Sequence, residues 1–300
     1  MMKKTMSARM RELLDRTGVI VMPGPYDCLS LQIIENLGFE VAILGGLTCG
    51  STSSGLPDVG VLTMSEMMNR YRIMTAVANI PLIGDVDDGF GELINVDRTA
   101  REAIRAGLAG ILIEDQRSPR RCPHIGGGDV ISQDDMVRKL QVIADVKAEE
   151  DPDFVVIART YSARVNGIEE AVRRGLAYAE AGADVIWVDL AYSDEAISEL
   201  KTLAEEIGPH AYLAAGMAET TGKPVLPKER FEEMGYKIIA YPLTAMLAAA
   251  RAVEKVMIAL RDHGDTSSVV DTLMPLHDVS SIMGADRAKA FEKKWLSGND

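Results

Sequence analysis

Cysteine, histidine and aromatic residues are all scarce in this 300-residue chain: three cysteines, four histidines and an aromatic share of 5%. Cys28, Cys49 and Cys122 are too few and too scattered for a disulfide framework or a cysteine-rich zinc site, which fits reduced thiols in a reducing compartment. His210, His263 and His277 have no metal-ligand spacing to another histidine and read as structural or solvent-facing. Basic residues are also in deficit. The 32 Lys and Arg stand against 45 Asp and Glu, a net charge of −13 that repels nucleic-acid phosphates and anionic lipid. No nucleic-acid or membrane partner is therefore expected. No apolar run can cross a bilayer, since the most apolar stretch, residues 241–260, is broken by Arg251, Glu254 and Lys255. The opening MMKKTMSARMRELLDR carries charge where a signal peptide would be apolar, so a cytoplasmic location is expected. The glycine triplet 126–128 lacks the spacing of a dinucleotide fingerprint, and no Walker-type phosphate loop occurs.

What the chain does have is aliphatic core material, with 47% hydrophobic residues over a length that suits two ordinary domains or one large α/β barrel. Short apolar runs recur at 19–22 (VIVM), 41–46 (VAILGG), 81–85 (PLIGD), 110–115 (GILIED), 154–159 (FVVIAR), 183–189 (ADVIWVD), 211–215 (AYLAA) and 237–241 (KIIAY). Each has the length and composition of a strand buried on both faces of a parallel sheet. Helical patterns lie between them at 29–37, 97–106, 168–181 and 229–234, each followed by the glycine that stops a helix. Strand and helix alternating through eight apolar runs predict a (β/α)8 TIM barrel over residues 1–264, with an open doubly wound sheet as the alternative. Residues 265–300 form a C-terminal helical extension that packs across the barrel's own face or docks on a neighbouring subunit.

In such a barrel the catalytic groups sit at the carboxyl ends of the strands. Here the third run ends on Asp85, Asp87 and Asp88, the fourth on Glu114 and Asp115, the fifth on Arg159 and the sixth on Asp189. Any one of these acids could merely cap a helix or loop. Several converging on one axis need a cation to offset their repulsion, and an all-oxygen ligand set selects a hard ion, Mg²⁺ or Mn²⁺. Cys122 lies in the loop SPRRCPHIGGGD, flanked by Arg120, Arg121 and His124, where cationic neighbours lower a thiol's pKa. That loop reads equally as a mobile lid carrying an acid or as an ordinary surface connection.

The runs GDVDDGFGE (84–92), GILIEDQRSPRRCPH (110–124) and VVIARTYS (155–162) resemble the isocitrate lyase and phosphoenolpyruvate mutase superfamily, supported by PGPYDCLS (23–30), GLPDVG (55–60), YAEAGAD (178–184) and MAETTGKP (217–224). The resemblance implies a (β/α)8 barrel binding one Mg²⁺, a C-terminal helix exchanged between paired subunits, and a homotetramer built as a dimer of helix-exchanged dimers. It implies metal ligation by Asp85, Asp87 and Glu114, and a catalytic role for Cys122 and Arg159. It implies substrate binding by Gly45, Gly46, Asp58, His124, Arg159 and Asp189. A Lys-x-Cys-Gly-His lid whose thiol is the general acid marks the superfamily's carbon–carbon lyases, and this chain reads RRCPH.

The metal shell is thus retained while the substrate shell is altered. Ile43 stands for a tyrosine, Gly45 for a serine, Tyr161 for an aspartate, Asp189 for a glutamate and Gly216 for an asparagine. The expected activity is Mg²⁺-dependent cleavage of a 2-hydroxy di- or tricarboxylate of the methylisocitrate or dimethylmalate kind to a 2-oxo acid and a second carboxylate. Decarboxylation or hydrolysis of an oxaloacetate-like 2-oxo acid, phosphorus–carbon bond chemistry and a catalytically dead metabolite-binding barrel are the alternatives.

Overall fold

All eight apolar runs become strands in the computed structural model, which describes residues 4–122, 126, 129–190, 196–217, 219 and 225–296. They are β1 (Ile20–Pro23), β2 (Ala42–Leu44), β3 (Leu82–Asp85), β4 (Gly110–Glu114), β5 (Val155–Thr160), β6 (Val185–Val188), β7 (Tyr212–Gly216) and β8 (Ile238–Tyr241). Pairing is parallel throughout, in the order β1-β8-β7-β6-β5-β4-β3-β2, so the sheet curls into a nearly closed (β/α)8 barrel whose two ends are β1 and β2. The pleat sorts side chains with a period of two. Ile83, Leu112, Ile157 and Val185 face one buried cluster inside the barrel, while Leu82, Ile111, Val156 and Ile186 belong to the larger cluster between sheet and helices.

The two ends of the barrel are treated differently. Helix Met6–Asp15 adds Met10, Leu13 and Leu14 to the inner cluster. Its Arg11 ties it to Asp184 at 2.7 Å and to the Phe154 carbonyl at 2.9 Å, at the amino ends of β6 and β5. That end is plugged, and the carboxyl end is left for chemistry. There the strand ends are braced by Tyr71 from helix Met64–Val77, whose start is fixed by a reciprocal Thr63–Glu66 cap. The fully buried Tyr71 hydroxyl donates to the carbonyls of Leu44 and Asp85 and so joins the ends of β2 and β3.

Beyond β8 the chain leaves the core. Helix Thr244–His263 buries only Ala259 and exposes Val253, Met257, Ile258 and Leu260, although it falls in the segment assigned to the barrel from sequence. The helices Leu276–Ile282 and Ala285–Leu296 continue this pattern with Phe291 and Trp295 largely exposed. Among the described residues no helix is long and apolar enough to cross a membrane.

Candidate active site

A cavity of about 100 Å³ opens at the carboxyl end of the barrel and is lined by Gly45, Gly46, Asp58, Asp85, Glu114, Cys122, Arg159 and Asp189 among others. Alternation along the strands decides which acids reach it. Glu114 enters the cavity, but Asp115, the next residue, turns outward to accept from Thr160 Oγ1, the Tyr161 amide, Arg174 and the Tyr178 hydroxyl. Asp85 and Asp87 lie close together two residues apart, the Asp87 amide donating to Asp85 Oδ1 at 3.0 Å. Asp87 adopts φ 52°, a left-handed conformation that aspartate tolerates better than most residues. Asp88 is spent on the turn: its side chain accepts from the Phe90 amide and its carbonyl from Lys139.

The acids are not balanced by hydrogen bonding alone. Glu114 Oε1 is buried without a hydrogen-bond donor, the Nε–H groups of Arg120 and Arg159 are buried without an acceptor, and Asp87 Oδ1 has only the Arg120 guanidinium beside it. Such unsatisfied buried groups are uncommon in folded proteins, and here they border the cavity, where a ligand or water could reach them. Burial holds the Glu114 carboxyl well above the usual range despite nearby Arg120 and Arg159. Burial also pushes Asp87 up to about 7, against the pull of Arg120.

Among the described residues no three acid, cysteine or histidine side chains form a ready-made metal shell. The cation that stands among them is Arg120, with Nη2 2.6 Å from Asp58 Oδ1 and 2.5 Å from Asp87 Oδ1. Asp87 and Glu114, with Asp85 beside Asp87, are carboxylate oxygens of the kind that a hard ion such as Mg²⁺ or Mn²⁺ takes, and Arg120 occupies that place in this structure.

Gly46 is the residue that lets this cluster assemble. A Cβ there would meet Arg120 Nη2 at 2.5 Å and Asp87 Oδ1 at 3.3 Å. Its amide, assigned to a substrate carboxylate by resemblance, lies 3.3 Å from Asp85 Oδ2 and donates to it. Gly45 precedes the π-helical turn Gly46–Ser51 and lines the cavity. Cys122 is buried at the cavity wall, and its amide donates to the Asp58 carbonyl at 3.1 Å, so the loop and the rim acid are joined through backbone. The expectation that both flanking arginines serve the thiol needs adjusting. Arg120 is committed to Asp58 and Asp87, and Arg121 is exposed. His124 lies outside the described residues.

On the far side of the cavity Arg159 is held on three sides. Nη2 pairs with Asp189, and the guanidinium lies over the rings of Tyr161 and Trp187 at 4.6 and 4.8 Å from their centroids. Asp189 is shared with Arg164 at 2.5 Å, and these two cations hold its pKa below the ordinary value although burial opposes them. Arg164, Trp187 and Leu243 line the cavity, and the sequence reading missed all three. Arg164 sits in the short helix Ser162–Asn166 rather than at a strand end, and Trp187 inside an apolar run looks like ordinary core. Only the position of Trp187, two residues before Asp189 in the inward phase of β6, could have marked it.

The family model described as phosphoenolpyruvate phosphomutase matches residues 10–261 of this chain. The chain is 37% identical over 292 residues to the 2,3-dimethylmalate lyase of Eubacterium barkeri, covering 97% of this chain and 99% of that one. Among solved structures it resembles oxaloacetate acetylhydrolase bound to 3,3-difluorooxalacetate, with a TM-score of 0.89 and 28% identity over 97% of each chain. It resembles phosphonopyruvate hydrolase in complex with oxalate and Mg²⁺ with a TM-score of 0.87 and 27% identity, over 98% of this chain and 100% of that one.

Proposed function

The chain belongs to the phosphoenolpyruvate phosphomutase family, within the PEP mutase/isocitrate lyase superfamily, and on that premise we propose that it is a Mg²⁺-dependent carbon–carbon lyase of the cytoplasm. Its substrate is a 2-hydroxy carboxylate of the dimethylmalate or methylisocitrate kind, cleaved to a 2-oxo acid and a second carboxylate. The observation that carries this reading is the position of Cys122, whose residue lines the same cavity as Asp85, Glu114 and Arg159. A proton donor there suits a reaction that leaves a carbanion to be quenched. It has no evident use in phosphorus–carbon chemistry.

Asp85, Asp87 and Glu114 would hold the ion, Mn²⁺ serving in place of Mg²⁺. When bound, it supplies Lewis-acid stabilisation of negative charge on the substrate's 2-oxygen. The protein's own groups do the rest. Arg159, kept in place by Asp189 and two aromatic faces, orients the substrate's oxygens. Gly45, Gly46, Asp58 and His124 complete the substrate-binding set inferred from the resemblance. The hydroxyl proton passes to solvent, the C2–C3 bond breaks with its electrons passing to C3, and the thiol of Cys122 delivers a proton to that carbon. A proton from solvent restores the thiol, so one proton is released, one is taken up, and the reaction is proton-neutral.

The test is turnover of a panel of 2-hydroxy and 2-oxo acids with Mg²⁺. Cleavage of a 2-hydroxy acid should fall on the order of 10²–10⁴ in kcat in Cys122→Ser, with Mn²⁺ affinity unchanged. A Cys122→Ser enzyme that keeps most of its turnover, or a wild type active only on oxaloacetate, would replace this reading with the hydrolase or decarboxylase one. We also infer a dimer of helix-exchanged dimers. The apolar faces of helices Thr244–His263 and Ala285–Leu296 support it, and a monomer in sedimentation at micromolar concentration would refute it.

A further inference from the structure

Trp187 is the last inward-facing side chain of β6, in phase with Val185, and its ring lies across the end of β7 rather than within the barrel's layers alone. A Cβ built on Gly216 would sit 2.2 Å from Trp187 Cζ2 and 3.1 Å from both Cε2 and Cη2. No side chain at position 216 is compatible with the ring where it stands. The superfamily resemblance puts an asparagine at this place, so an amide has been exchanged for the flat apolar face of an indole borrowed from the neighbouring strand.

The same ring covers the Arg159 guanidinium, which also meets Tyr161, Asp189 and, at 4.0 Å, Glu114, and Asp189 also takes up Arg164. Beyond it the cavity wall continues as Leu190, Pro242 and Leu243. Two guanidinium groups share the Asp189 carboxylate, and the only other acid near Arg159 among the described residues is Glu114 at 4.0 Å, whose burial disfavours its charged form, so this side of the cavity is rich in positive charge. A ligand carboxylate can be met there by Arg159. Among the described residues the Trp187, Leu190, Pro242 and Leu243 part of the wall is apolar and the nearest cation in the lining, Arg164, is already engaged by Asp189, so a further carboxylate reaching that part would be buried against apolar surface, a penalty that a site discriminates strongly.

We propose that Trp187, admitted to the cavity by Gly216, is a specificity-determining residue that restricts the substrate to small 2-hydroxy dicarboxylates bearing an apolar substituent and excludes tricarboxylates. The proposal rests on the lyase reading above for its turnover assay, but its binding assay stands apart from that reading. In turnover with Mg²⁺, wild type should favour 2,3-dimethylmalate over 2-methylisocitrate by about 100-fold or more in kcat/KM. Trp187→Ala should reduce that ratio at least tenfold, chiefly through a lower KM for the tricarboxylate. Trp187→Phe, which keeps an aromatic face, should retain most of it. A wild type that prefers the tricarboxylate, or an unchanged ratio in Trp187→Ala, would overturn the assignment.

Should neither acid be turned over, the lyase reading fails and binding decides this one. The chain has two tryptophans, and the second, Trp295, is exposed on the last helix. In the Trp295→Phe protein with Mg²⁺, emission then reports Trp187 alone. Dimethylmalate should quench it at a concentration at least tenfold lower than citrate does. Gly216→Ala should shift the emission and weaken the dicarboxylate, giving a second variant if Trp187→Ala does not fold. Emission indifferent to both acids, or equal response to both, would make Trp187 a core residue and end the proposal.

Discussion

Glu114 and Asp115 are neighbours in the chain, both acidic and both buried, yet they belong to opposite kinds of environment. Asp115 is saturated: hydroxyls from Thr160 and Tyr178, a backbone amide and Arg174 all donate to its two oxygens. Glu114 has an oxygen with no hydrogen bond, and its two arginines stand 4.0 Å away. The first arrangement spends both oxygens on holding β4, β5 and helix Ile168–Glu180 together. The second leaves unused donor and acceptor capacity pointed at a cavity. Satisfied polar burial is structure, and unsatisfied polar burial is capacity for a ligand.

The largest expected effect breaks the comparison on the ligand side. Glu114→Gln removes a charge that burial already disfavours, so the fold should lose no stability and gain some. Activity should fall on the order of 10³, and Mn²⁺ binding followed by electron paramagnetic resonance should weaken in parallel. Wild-type Mn²⁺ affinity in this variant would remove Glu114 from the metal shell. Asp115→Asn should do the reverse. It leaves Arg174 with Glu170 as its one remaining carboxylate and leaves a buried donor of Thr160, Tyr178 or the Tyr161 amide poorly matched, which should cost about 1–3 kcal/mol in urea unfolding, with turnover per folded molecule kept within a few-fold. Two variants one residue apart would then separate stability from function. If both lost stability equally, the distinction drawn here would be wrong.

How far this was legible beforehand depends on the type of signal. The eight strands were found within two residues at each end because burial on both faces demands uninterrupted aliphatic runs, and little else in a chain looks like that. The acids at strand ends were equally visible. Their sorting was not, because it depends on the phase of a pleat that ends just there: Asp88 and Asp115 looked like Asp87 and Glu114 until their partners were known. The turn Gly46–Ser51 carries no helical or strand period, and only the close approach of Arg120 explains why its first residue is glycine. In sequence Arg120 stands beside Cys122, in the place of the lysine of the lyase lid. In space it belongs to Asp58 and Asp87. Trp187 was hidden by its own character, being an apolar residue in an apolar strand that does its work through a missing side chain on the next one.

The smallest effect sharpens the comparison at two thiols. Cys122 borders the cavity, whereas Cys49 is fully buried, with its Sγ 3.5 Å from the Pro25 carbonyl and 3.3 Å from the Met74 sulfur. Cys49 belongs with Asp115, among the groups whose polar capacity is settled inside the fold. Burial pushes its thiol from 9.0 up to about 12. A folded-state pKa raised above the unfolded one contributes stability that is whole below pH 9 and is lost as pH climbs toward 12. At pH 10 the unfolded thiol is ionised and the folded one is not, which amounts to about 1.4 kcal/mol. Wild type should therefore lose about that much more stability than Cys49→Ala between pH 8 and pH 10, measured by urea unfolding under reducing conditions. The alanine variant starts lower because of its cavity, so the comparison is one of slopes and not of absolute stability. Parallel slopes would mean that Cys49 ionises as easily folded as unfolded, and that its surroundings are wetter than a sealed core allows.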